Sequence, residues 1–197
     1  MDNLPTELII EILLPLDTRS ILRYCRASKA LQLVCQSDYF WSRKAELSLA
    51  FPQSSFIRLR EEWRRSPSSL YQTIGWLKNQ PQTFIRHTQR GEIAILKVGM
   101  YHDDKVYPII PVSRVKEAID LSLEEVDIPL FELLLNDPRI NPYDYSDTVI
   151  EIGEVELMKV LLRHPKFRLV KSKYRSDLIE TAYGYGNYEM ADYLENY

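Results

Sequence analysis

The chain has 197 residues, enough for one or two compact units, and its 45% hydrophobic and 27% charged content lies in the globular range. Its formal charge of -3, from 25 basic against 28 acidic residues, gives no overall attraction to polyphosphate and argues against generic nucleic-acid binding by the whole chain. No run of ~20 apolar residues and no leader of basic, apolar and small residues is present, so the expectation is an intracellular protein, cytoplasmic or nuclear, with no membrane partner.

From the amino end, Leu4, Leu8, Ile12 and Leu16 recur every four residues and wind one apolar stripe around a helix, with Pro5 where a first-turn proline is tolerated. Asp17-Thr18 supplies an N-cap for a second helix through Leu22 and Cys25. Ser28 caps a third, carrying Leu31, Leu33 and Val34. The only cysteines, Cys25 and Cys35, fall inside this apolar pattern and are read as buried thiols of a reducing compartment, not as a disulfide. Three short helices in about forty residues bury little by themselves, so such a cluster gains most by docking its leucines into another protein.

The ordered series Leu4-Pro5, Glu7-Leu8, Ile12-Leu13, Leu16, Leu22, Ser28, Leu31, Cys35 and Phe40-Trp41 resembles an F-box. Pro15 and Ala27-Ser28-Lys29-Ala30 depart from the usual pattern. The resemblance implies a three-helix domain at residues 1–48 that holds a Skp-type adaptor and, through it, a cullin. It implies an adaptor-binding face of Leu4, Pro5, Leu8, Ile12, Leu13, Leu16, Leu22 and Trp41, with Leu8 and Leu13 as its best single members.

Residues 49–80 read as a helical linker. Phe51-Pro52 is a break, residues 55–65 form a charged helix, and the turn at Ser66-Pro67-Ser68-Ser69 caps a helix from Leu70 to Asn79. Arginines and aromatics alternate in the charged helix, but Glu61 and Glu62 favour a solvated helix anchored by Phe56, Leu59 and Trp63 over an RNA-contacting one. Between Tyr101 and Pro111, the β-branched run Val106-Tyr107-Pro108-Ile109-Ile110 is the one place where a strand or hairpin is expected.

Toward the carboxyl end, the segments beginning Gly153-Glu154-Val155 and Gly186-Asn187-Tyr188 align 33 residues apart. Each glycine ends one helix by tolerating positive φ, and an apolar-faced helix follows. Weaker copies begin at Gly91 and Val126, and a shorter 27-residue step from Pro138 to Pro165 implies a clipped helix around Ser146 to Ile150. Ser176 stands as the N-cap of the helix that follows, with Leu178 and Ala182. This period resembles degenerate ankyrin repeats over residues 81–197, although Thr-Pro-Leu-His openings are missing. The fold expected is therefore all-α: a three-helix F-box, a helical linker and an irregular ankyrin stack.

A search for catalytic constellations finds none. His87, His102 and His164 lie far apart, and His102-Asp103-Asp104 has no further ligand at metal-binding spacing. His164 ends a helix, where a cation complements the carbonyl dipole. Gly184-Tyr185-Gly186 is a helix-end turn and not a nucleotide loop. No enzyme, cofactor or metal is expected. The F-box resemblance implies a substrate receptor of an SCF-type, cullin-RING ubiquitin ligase. The ankyrin resemblance implies a target bound by inner helices and finger loops, for which Tyr143, Asp144, Tyr145, Lys171, Lys173, Tyr174 and Arg175 are candidates by location. The combination, with Asn136-Asp137-Pro138-Arg139-Ile140-Asn141-Pro142 after a leucine-rich helix, is also similar to sets carried by large DNA viruses of protists, which would place the protein in a host cell. A ligase-independent scaffold or virion-associated interaction protein is the alternative. Tyr183, Tyr185, Tyr188, Tyr193 and Tyr197 crowd the last unit and read as a half-wet cap, rings packed and hydroxyls exposed.

Overall fold

The structure, a computed structural model, describes residues 4–103, 108–167 and 173–197, with Lys173 as backbone alone. Among the described residues there are fourteen α-helices, one 3₁₀ turn and no strand. By the contacts of its backbone, the chain divides into two compact units: Met1–Phe84 with Ala94–Ile110, and Ile85–Ile93 with Pro111–Tyr197.

The first unit begins with α1 (Thr6–Leu13), α2 (Thr18–Cys25) and α3 (Lys29–Gln36). The expected caps form: Asp17 accepts from the Ser20 amide at 3.0 Å, and Ser28 accepts from the Leu31 amide at 3.2 Å. A further helix, α4 (Asp38–Leu49), carries Phe40 and Trp41, both fully buried. Ser37 caps it by accepting from the Phe40 amide. Trp41 donates its indole N–H to the Cys35 carbonyl at 2.7 Å, so the largest core side chain leaves no polar atom stranded. Ala50, in the left-handed conformation at φ 48°, ends α4 and turns Phe51 into the core.

Cys25 and Cys35 correct the thiol expectation. They form a disulfide between the end of α2 and α3, with Cα atoms 5.9 Å apart. Helix repeats of apolar residues place a cysteine inward, but the α2–α3 reversal is what brings this one opposite its partner.

Two more helices follow, α5 (Gln53–Glu62) and α6 (Pro67–Asn79). As the apolar spacing predicts, Phe56, Leu59 and Trp63 are buried, and Trp63 donates to the Ser69 hydroxyl at 3.0 Å. Arg60 is held by Asp38 at 2.9 Å. Beyond α7 (Thr83–Gln89), α8 (Ile93–Met100) was expected as the second helix of an early repeat, yet from Ala94 onward it belongs to this first unit. Gly99 explains the fit: a Cβ there would stand 2.8 Å from Ile110 and 2.9 Å from Phe84. The strand expected between residues 101 and 111 is absent among the described residues, and Val106 and Tyr107 lie outside them. Ile110 is instead fully buried and donates its amide to the Gly99 carbonyl at 3.1 Å, so its backbone is committed to α8 rather than to a ladder.

The second unit stacks helix pairs. They are α9 (Val112–Glu124) with α10 (Ile128–Leu135), α11 (Ser146–Ile152) with α12 (Val155–Arg163), and α13 (Lys173–Gly184) with α14 (Tyr188–Asn196). Partners pack within each pair, α12 packs on both α10 and α14, and α11 packs on α13. Each pair reverses through a left-handed residue two positions before its second helix: Val126 at φ 53°, Gly153 at 80° and Gly186 at 77°. At Gly153 a Cβ would also meet the Asn187 side chain at 2.8 Å. That side chain donates to the Ile150 and Glu151 carbonyls at 2.5 and 3.2 Å, clasping one pair to the next through the unsatisfied end of α11. Ser176 is interior to α13 and not its N-cap, because the helix starts three residues earlier.

Candidate functional site

α1 carries apolar residues on two faces, and this arrangement makes it the candidate site. Ile9, Ile10 and Leu13 point inward and are buried. The stripe read from the sequence points outward: Leu4 is 40% exposed, Leu8 51% and Ile12 46%, and Pro5 is exposed beside them. Leu16 and Leu22 are half-buried. Leu13 and Trp41, expected on the adaptor face, are instead core, at 2% and 0% exposure. The correction is geometric: Leu13 lies one residue past Ile12, a rotation of about 100° around the helix, and Trp41 is enclosed against Phe40 and Tyr71.

The device that fixes this face has no local signature among the residues of α1. Lys44, buried on α4, sends its ammonium to the Leu14 and Leu16 carbonyls, each at 2.9 Å, where α1 ends. Burial lowers its pKa, and Asp17 opposes that shift. The cation therefore satisfies carbonyls that would otherwise be orphaned, and it complements the negative end of the helix. Arg43 adds an ion pair to Glu11 at 2.7 Å. The spacing Lys44-to-Leu14 is too long for any local sequence rule to reveal it.

The candidates for target binding separate in the same way. Tyr145 is 5% exposed and packs edge-on against Phe131, and burial raises its phenol's pKa, so it belongs to the core. Arg175 donates to the Leu194 carbonyl at 2.8 Å and to the Glu195 carbonyl, which makes it the cap of α14. Lys171 lies outside the described residues. Lys173 opens α13. Tyr143 and Tyr174 are half-buried and share an aromatic cluster with Phe167, whose ring stacks on Tyr143 at 4.7 Å; Tyr174 meets the Ser146 hydroxyl at 2.9 Å. Asp144 is exposed and pairs with Lys116 at 3.2 Å. Of the seven, Tyr143, Asp144 and Tyr174 remain together on accessible surface.

His164 also differs from the expectation. Its Nδ1 accepts from the Lys166 amide at 3.2 Å, a bond that needs the neutral ring, and burial followed by the Lys166 charge lowers its pKa below 6.5. It is a cap acceptor and not a dipole-complementing cation. Among the described residues, no group of three or more His, Cys, Asp or Glu is placed to hold a metal ion, and no helix is long and apolar enough to cross a membrane.

Set beside known proteins, the chain matches no curated protein and no solved structure. One protein family does match: residues 1–46 correspond to the F-box-like family, and so α1 to α3 and most of α4 form an F-box-like domain.

Proposed function

We propose that this protein is a substrate-receptor adaptor of an SCF-type, cullin-RING ubiquitin ligase. F-box-like domains imply docking to a Skp-type adaptor, and proteins that carry them are generally adaptors rather than enzymes. The observation that supports the reading most is the outward stripe of Leu8 and Ile12 on α1, extended by Leu4 just before it, on a helix that has already filled its core side with Ile9, Ile10 and Leu13. Exposed leucines at one-turn spacing match a helix-in-groove mode of docking, in which each fully covered leucine contributes about 1.5–3 kcal/mol. Leu4, Pro5, Leu8 and Ile12 form the centre of the face, with Leu16 and Leu22 at its margin.

The second unit serves as the target-binding part. Helix pairs reversing at left-handed residues are consistent with degenerate ankyrin repeats, and Tyr143, Asp144 and Tyr174 are its candidate contacts. No bond is made or broken by this chain; it raises the effective concentration of a target beside a charged ubiquitin carrier. The resemblance to proteins of protist-infecting DNA viruses suggests host ubiquitination as the setting.

The test is capture of a purified Skp-type adaptor by the full chain and by Leu8→Asp. A half-exposed leucine leaves the fold intact when replaced, so an unchanged unfolding midpoint with adaptor capture lost supports the reading. Equal capture by both chains contradicts it.

A further inference from the structure

α2 carries Arg19 and Arg23 and its C-cap is Arg26, still in helical conformation, so the one-turn spacing puts all three along one side. They line a single groove of about 490 Å³ together with Thr18, Leu22 and Gln72 of α6. All three side chains are exposed, and among the described residues none of the three enters an ion pair or a side-chain hydrogen bond. No carboxylate lines the groove. The nearest acidic residue in sequence, Asp17, is engaged as the cap of α2, accepting from both the amide and the hydroxyl of Ser20 at 3.0 and 2.6 Å. Through Thr18 and Gln72 the groove continues into a second hollow of about 550 Å³, walled by Tyr71, Trp76 and Leu49.

Three guanidiniums without an ion-pair partner concentrate positive charge along one groove of a chain whose net charge is negative. Guanidinium binds carboxylate and phosphate through paired N–H donors, and an arginine cluster over an apolar floor is a recurring way to hold an acidic or phosphorylated peptide. The geometry points to this groove as a docking site for an anionic segment of a partner protein, its acidic or phosphoryl groups on Arg19, Arg23 and Arg26 and an apolar side chain beyond Gln72 against Trp76. A peptide fits better than a nucleic acid. The cations span only about 10 Å of helix, too short to follow a phosphate backbone, and the adjoining hollow, where Leu49, Tyr71 and Trp76 stand beside Thr73 and Asn79, is lined by no basic side chain. The groove borders the proposed adaptor face at Leu22, which lines both, but takes in none of Leu4, Leu8 and Ile12; its existence does not depend on the ligase reading.

Fluorescence anisotropy on the full chain tests it with three labelled dodecapeptides of one sequence, each carrying a leucine and differing only in two positions: phosphoserine, glutamate or glutamine. A single-stranded RNA dodecamer is the fourth probe. The phosphoserine or the glutamate peptide is expected to bind at least about tenfold tighter than the glutamine one, the scale of one good ionic contact. Preference for phosphoserine alone identifies a phosphorylated source, and equal preference an acidic one. The advantage disappears in Arg19→Gln/Arg23→Gln/Arg26→Gln and in Gln72→Trp, which fills the groove without changing charge. It persists in Arg64→Gln/Arg65→Gln, a control pair of exposed arginines elsewhere, and in Leu8→Asp, which breaks only the proposed adaptor face. The inference is overturned if the glutamine peptide binds as well as the charged ones, if the control pair loses as much as the triple variant, or if RNA binds more tightly than either anionic peptide.

Discussion

α1 and α12 are both short helices rich in branched apolar residues, yet they dispose of them in opposite ways. α12 buries Leu157, Met158, Val160, Leu161 and Leu162, because α10, α11 and α14 all pack on it. α1 packs chiefly on α3, buries Ile9, Ile10 and Leu13, and leaves Leu4, Leu8 and Ile12 in water. α12 is covered by three packed helices, whereas α1, packed chiefly on α3 and held by Lys44 and Arg43 of α4, keeps one apolar face uncovered among the described residues. The difference is what the proposed docking surface on α1 rests on: apolar residues at one-turn spacing that no other helix covers among the described residues.

Truncation is the hardest way to break the comparison. Leu161→Ala removes a fully buried side chain and is expected to cost about 2–5 kcal/mol, read from urea unfolding. Leu8→Ala, at half exposure, is expected to change stability by no more than about 0.5 kcal/mol. Similar costs for the two would mean that α1 is covered by this chain after all.

Next in size is the disulfide, which lies in the first unit alone. Closing a loop ten residues long restricts the unfolded chain, and reduction or Cys25→Ser/Cys35→Ser is expected to lower stability by about 2–3 kcal/mol. No change on adding reductant would show that the two sulfurs are not joined in solution.

The turns of the second unit differ from one helix pair to the next. Gly153→Ala meets both a left-handed backbone and the Asn187 clasp, with an expected loss of about 2 kcal/mol, while Val126→Gly relieves a β-branched residue at φ 53° and is expected to gain about 1 kcal/mol. Thermal unfolding of the two variants in parallel separates strain from packing. If Val126→Gly is no more stable than the parent, the left-handed turn there costs nothing.

The smallest expected effect is on pH. His164 has a folded pKa below its unfolded 6.5, so the unfolded chain takes up the proton first; its contribution is fully present above pH 6.5 and is lost as pH falls from 6.5 through the lowered folded value. Measured between neutral and mildly acid pH, stability should fall less steeply in His164→Asn than in the parent.

Local chemistry was legible in the sequence, and the outcome of tertiary choices was not. Caps at Asp17, Ser28 and Ser66 and the turns at Gly153 and Gly186 follow from side-chain donors, acceptors and backbone sterics within a few residues, and all are present. Periodicity locates the α1 stripe, whereas Leu13 and Trp41 enter the adaptor face only through the F-box resemblance, which does not say which apolar residues this chain uses as its own core. Lys44 on the α1 carbonyls, Cys25 against Cys35 and Ile110 against Gly99 are made by contacts distant in sequence or by a helix reversal, for which no spacing rule exists. Ser176 was read as a cap because its residue type suits one, but the helix runs through it. The arginines on α2 carried a readable signal in their spacing. Only the structure shows that they share a groove with α6.

The most direct measurement is a calorimetric titration of a purified Skp-type adaptor into the intact chain, with Leu8→Asp and Leu33→Asp alongside; both leucines are more than half exposed, and only Leu8 lies on the α1 stripe. The parent and Leu33→Asp are expected to bind, and Leu8→Asp to bind at least about a hundredfold more weakly, the scale of placing a charge in an apolar groove. Binding that survives Leu8→Asp, or a folded parent that does not bind the adaptor at all, would contradict docking through the α1 stripe.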